Sequence, residues 1–172
     1  MNKLQIVDRT VDAIFFYNPS DPHGYLSNWS FSPFKIDGVR FVSMEQYIMY
    51  EKCVVFGDQT SANAILATDD PATHKKIGRN AKGYVDSVWG GMRQLIALRG
   101  LLAKFMQNEE LNQKLLSTGD AWLVESSHND VVWACGRGLD EPERFDVAQW
   151  RGKNILGFAI METRTILRAI GK

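Results

Sequence analysis

The clearest pattern in the chain lies between Asp86 and Gln107, where apolar residues return every three or four positions and predict one long helix. Leu95, Leu98, Leu102 and Phe105 mark one face, assigned to the core. Trp89, Arg93, Ile96, Gly100 and Ala103 mark the other. A second helix is expected from Ser43, an N-cap with Gln46 three residues on, and ends at Gly57. Further helices are predicted at about 59–67 and at 71–79, where Asp70 caps a first-turn Pro71, then at 109–117 and 154–170. The strand signals are shorter. Val11–Tyr17 is a β-branched and aromatic run, residues 121–126 read as a strand, and FKIDGVRF (34–41) carries Asp-Gly between two short alternating runs, a hairpin signature. Polar residues 139–149 are expected as loop. The pattern is that of a single helix-rich α+β domain over residues 1–172, with its core at about 13–168 and no internal repeat.

Composition narrows the class. Hydrophobic residues make up 45% and charged residues 23% of 172 positions, as in ordinary globular chains. Twenty basic residues balance twenty acidic ones, which argues against broad non-specific nucleic-acid binding but allows a local basic pocket. Cys53 and Cys135 are too few and too separated for a disulfide framework. Neither a signal peptide nor a membrane-length apolar segment is visible, so a cytoplasmic protein without membrane contact is expected.

Three constellations could carry chemistry. On the helix after Ser43, Glu45, Ile48, Met49 and Lys52 share a sector of about a quarter-turn. Glu45 is either a first-turn acid favoured by the helix dipole or a carboxylate aimed at a ligand, with Lys52 about 10 Å further along the axis. On the long helix, Trp89 and Arg93 either frame a packing contact at Gly100 and Ala103 or offer a ring surface and a phosphate fork. In ESSHNDVVW (125–133), Asp130 either builds a turn or orients a hydroxyl. Arg137 within CGRGL suggests an anion contact. No dinucleotide fingerprint, phosphate-binding loop, nucleophile elbow or metal-ligand spacing occurs, and neither cofactor nor metal is expected.

The ordered set LSNW (26–29), DGVRF and SMEQY (37–47), EK (51–52), IGR (77–79), Trp89, LLAKF (101–105), LLSTGDAWLVESSHNDVVW (115–133) and WRGKNILGFAIMETR (150–164) resembles the NADAR family, named for NAD and ADP-ribose, from about Phe15 to Arg168. The resemblance implies an N-glycosidase of the family's fold that hydrolyses a ribose C1′–N bond. Its substrate would be a small nucleotide or an ADP-ribosylated nucleobase, such as an ADP-ribosyl-guanine (within DNA or free) or a phosphoribosylated intermediate of riboflavin biosynthesis. It implies Glu45 and Asp130 as catalytic residues and Asn28, Trp29, Lys52, Arg79, Trp89 and Trp133 as substrate-binding ones, to which the helix reading adds Arg93 as a candidate phosphate contact. A module that binds ADP-ribose or NAD without cleaving it would use the same set. One departure is Trp133-Ala134-Cys135-Gly136, where the family commonly has W-G-x-G. Alanine there is expected to restrict the backbone and reshape the pocket floor.

Overall fold

The structure, a computed structural model, describes residues 1–171. Among them lie five strands and six α-helices, in the order β1 (Asn2–Ile6), β2 (Arg9–Phe16), β3 (Phe34–Ile36), β4 (Val39–Phe41), α1 (Met44–Val55), α2 (Gln59–Leu66), α3 (Pro71–Arg79), α4 (Asp86–Gln107), α5 (Glu109–Leu116), β5 (Trp122–Glu125) and α6 (Ile155–Ala169). The α+β class read from the sequence is the class observed. The chain divides into two compact units, one made of Met1–Ser27 with the segment from Glu109 onward, the other of Asn28–Asn108.

The first unit holds a three-stranded sheet in the order β1-β2-β5, with β1 antiparallel and β5 parallel to β2. Leu4, Ala13, Val124 and Cys135 form its buried core, flanked by Phe15, Trp122 and Trp150. Helix α6 covers β5 closely because Gly157 has no side chain. A methyl there would overlap the Leu123 carbonyl. Asn154, just before α6, takes φ 49° and clamps the strand by donating to the Leu123 carbonyl (3.0 Å) and accepting from the Glu125 amide (3.0 Å). Strand β1 had no signal in the hydrophobic pattern: it turns into β2 through Val7 at φ 50°, a backbone state that a β-branched residue rarely adopts. Residues 139–149 contain two short 3₁₀ turns, Pro142–Phe145 and Val147–Gln149, rather than loop alone.

The second unit is helical around one hairpin. Asp37 (φ 50°) and Gly38 (φ 82°) make the tight turn predicted for Asp-Gly and join β3 to β4. The hairpin brings Phe34 and Phe41 against Tyr47 of α1, with ring centres 5.1–5.9 Å apart. Gly57 (φ 72°) ends α1 as expected: its amide returns to the Val54 carbonyl (3.0 Å) and that of Asp58 to Cys53 (2.9 Å), a Schellman closure.

The core face of α4 differs from the expected stripe. Leu95 is 69% exposed, Leu98 and Leu102 are half-buried, and Phe105 alone of that set is fully buried. The helix instead buries Trp89, Ile96, Ala97, Gly100, Leu101, Lys104 and Phe105. Helix α1 packs at Gly100, where a methyl would overlap the Tyr47 ring and lie 2.9 Å from Met44 Cε. Both faces of α4 carry helix-period apolar residues. The close approach at one glycine, not total hydrophobicity, selects the buried one.

Candidate active site

The start of α1 is assembled around two side chains. Ser43, in extended conformation, accepts from the Gln46 amide (3.2 Å), the first half of the predicted capping box. The reciprocal half is displaced by one residue, since Gln46 Oε1 accepts from Val42 (2.7 Å) rather than from Ser43. Gln46 Nε2 donates to the Ile65 and Thr68 carbonyls (3.1 and 2.9 Å), tying the helix start to the end of α2. Every polar atom of this buried amide is thereby used.

Between these anchors stands Glu45, 6% exposed, with its amide donating to the Asn28 carbonyl (2.8 Å). The sector drawn on the helical wheel is buried throughout, Glu45 with Ile48, Met49 and Lys52. Asn28 is buried too, and its Oδ1 has no hydrogen-bond partner among the described residues. Helix α3 lies against α1 at Gly78, where a methyl would come 2.8 Å from Met49 Cβ. Arg79 follows at once.

Positive charge gathers along this side of the unit. Lys52 Nζ sits 4.2 Å from the centre of the Tyr84 ring. The Tyr84 hydroxyl donates to Asp86 (2.6 Å), and Asp86 pairs with Arg93 at 3.7 Å. Desolvation pulls the Lys52 ammonium below the usual lysine range. Arg93 and Arg79 add to that pull, while Cys53 and Asp86 oppose it. Arg93 folds back along α4 over Gly90, its side chain 13% exposed, and its buried Nε has no acceptor among the described residues. A buried guanidinium donor without an acceptor is a place where an anionic ligand gains a charge-assisted bond. Trp89, one turn before Arg93, is buried. Trp29 is 39% exposed and borders an open depression of about 330 Å³ with Ala72, Lys75, Lys76, Arg79 and Asn80.

Thus Asn28, Trp29, Glu45, Lys52, Arg79, Trp89 and Arg93 all belong to the Asn28–Asn108 unit. Asp130 and Trp133 belong to the other unit. There Asp130 Oδ1 accepts from the amides of Val132 (2.9 Å) and Trp133 (2.8 Å), so one of its oxygens builds the turn. Arg137 does not serve as an open anion contact, because Glu141 neutralises it (3.2 Å) and its Nε donates to the Gln149 carbonyl (2.8 Å). The constraint expected at Ala134 is also absent. Its φ is ordinary, and the positive φ of this loop falls on Gly136 (74°), where a methyl would stand 2.8 Å from Arg151 Cβ. Among the described residues no group of three His, Cys, Asp or Glu side chains is arranged to hold a metal. No helix among the described residues is long and apolar enough to cross a membrane.

Sequence reasoning missed Tyr84, Asp86 and Gly90, which hold the cations Lys52 and Arg93 in place. They stand in no motif: helical spacing puts Asp86 and Gly90 on the face of Arg93, and only the fold brings Lys52 to Tyr84. Gln46 was visible as a cap but not as the link to α2.

Comparison with known proteins shows the family of this chain. A family profile for the NADAR domain matches residues 15–168. The N-glycosidase YbiA of Escherichia coli (strain K12) is 32% identical over 151 residues, covering 88% of this chain and 86% of that protein. The N-glycosidase R617 of Acanthamoeba polyphaga mimivirus is 32% identical over 124 residues, 72% and 73% of the two chains. The NMR structure of the E. coli protein YbiA superposes with a TM-score of 0.77 at 31% identity, over 93% of this chain and 87% of that one. The enzyme class implied by the family resemblance, an N-glycosidase, is the class for which these relatives are named.

Proposed function

The chain belongs to the NADAR domain family, and on that premise we propose that it hydrolyses the bond between ribose C1′ and a nitrogen in a phosphoribosyl or ADP-ribosyl conjugate, with Glu45 as the catalytic carboxylate. The observation that carries this reading is a carboxylate almost removed from solvent in the first turn of α1, on the face that also bears Lys52, with Arg79 and Arg93 close enough to depress that lysine.

As the C1′–N bond breaks, its electron pair leaves with the nitrogen and positive charge spreads over C1′ and the ring oxygen. An ionised Glu45 beside that carbon stabilises the charge. It also accepts a proton from the water that adds to C1′. Burial raises the value of the interaction, since little solvent screens it. Lys52, Arg79 and Arg93 hold phosphate oxygens, and the unused Oδ1 of Asn28 accepts from a ribose hydroxyl or from the attacking water. Trp29 and Trp89 flank rings of the ligand. For Asp130 and Trp133 the reading rests on the family resemblance: the carboxylate takes a ribose hydroxyl, and the indole a ring.

The test offers purified protein ADP-ribosylated guanine, NAD and a phosphoribosylaminopyrimidine in turn and measures released base. Wild type is expected to free the base from one of them, and Glu45→Gln to lose at least about a hundredfold in turnover while still binding. Turnover at the wild-type rate in Glu45→Gln removes Glu45 from the chemistry. Release of no base, together with a ligand-induced rise in melting temperature, makes the protein a binding module instead.

A further inference from the structure

The depression beside Trp29 has its own chemistry. Lys75, Lys76 and Arg79 stand at i, i+1 and i+4 on α3, and Lys75 Nζ lies 5.7 Å from the centre of the Trp29 ring. None of the three cations forms an ion pair with a carboxylate among the described residues. In a chain whose formal net charge is zero, three unneutralised cations on one depression are a local arrangement and not a by-product of basic composition. The dipole of α3 favours cations in its last turn and accounts for Lys76 and Arg79. It does not account for a large indole left 39% exposed on the same depression. The volume, about 330 Å³, is at the small end for ligand sites and suits one ring with one phosphate.

We propose that this depression binds a phosphorylated aromatic group, a nucleoside monophosphate moiety, with its ring against Trp29 and its phosphate among Lys75, Lys76 and Arg79. Stacking on the indole supplies the sequence-tolerant contact that aromatic platforms give to bases. The three cations supply charge-assisted bonds to the phosphate. The proposal rests on the ligand reading above for Trp29 and Arg79, which it shares, but does not depend on Glu45 chemistry. The moiety is either the remote end of the cleaved conjugate or a separate nucleotide.

AMP titrated into the whole protein, followed by tryptophan fluorescence, tests the site, with adenosine and inorganic phosphate as separate probes. Saturable quenching by AMP is expected, at least tenfold weaker for adenosine or phosphate alone. Because the chain has five tryptophans, Trp29→Phe identifies the signal by abolishing it. The double variant Lys75→Ala/Lys76→Ala should keep its circular dichroism and melting temperature and lose about tenfold in AMP affinity. Glu45→Gln should retain the quench, which separates failure at this site from failure of the catalytic reading. If AMP competes with the conjugate and the double variant raises KM at constant kcat, the moiety belongs to the substrate. Non-competitive behaviour identifies a free nucleotide. No saturable quench in wild type, or one unchanged in both Trp29→Phe and the double variant, overturns the proposal.

Discussion

Helix α1 and the first half of α4 invert each other. The first buries a glutamate, a glutamine and a lysine, while the second leaves Val88, Met92 and Leu95 in solvent. Exposed apolar side chains are common and cost little, because there is never enough polar surface to cover a protein. Buried polar ones are costly unless every atom finds a partner, so they mark places that the fold serves rather than places that serve the fold. Gln46 shows the structural form of such service, with all its bonding groups engaged by main chain. Glu45, one residue earlier and also buried, is the carboxylate proposed above to act on the sugar.

Lys104 gives the strongest way to break that comparison, because the second half of α4 also buries an ionisable group. Desolvation pulls its ammonium down to about 7 from the ordinary 10.5. The folded state therefore binds fewer protons than the unfolded one between these values. Stability owed to the neutral amine is complete above about 10.5, and it is lost as pH falls to about 7. The swing is on the order of a few kcal/mol, since each pKa unit is worth about 1.4. Lys104→Met should flatten the dependence of melting temperature on pH across this range. An unchanged slope in the variant would show that the ammonium is not the titrating group.

A smaller effect is expected at the start of α1. Gln46→Leu preserves side-chain bulk but removes the partner of the Val42 amide and of the Ile65 carbonyl, while the Thr68 carbonyl keeps His74 Nε2 (2.8 Å), for a loss of about 2 kcal/mol in urea unfolding. If it were neutral, the claim that the bonds of Gln46 compensate its burial would fail. The smallest effect tests the opposite region: Leu95→Lys should change stability by no more than about 0.5 kcal/mol. A large loss would restore Leu95 to the core that its spacing first suggested.

Much of the fold was legible because local signals need no knowledge of neighbours. Asp70 with Pro71, Asp37 with Gly38, and Ser43 with Gln46 each act within a few residues, and each element they mark is present with nearly the predicted bounds. Strand β1 escaped because its turn places Val7 in a backbone state that no propensity favours. Within the candidate site, the burial of Glu45 and Lys52 followed from the helical wheel. The approach of Lys52 to Tyr84 did not, since it joins α1 to the segment before α4, although Asp86, Gly90 and Arg93 share one face of α4 by spacing.

By itself the sequence determined the α+β class, the helix limits, the two-residue hairpin and the inward sector of α1, all consequences of caps, turns and periodicity acting over a few residues. Tertiary structure alone decided which face of α4 is buried, that Arg137 is neutralised by Glu141, that Asp130 lends one oxygen to its own turn, and that Lys75, Lys76 and Arg79 meet Trp29. The buried face of α4 and the meeting of α3 with Trp29 depend on close approach between segments distant in sequence, while the Arg137–Glu141 pair and the Asp130 turn span only two to four residues. Such contacts are set by shape at a glycine or by the position of a counter-charge, and periodicity carries no record of either.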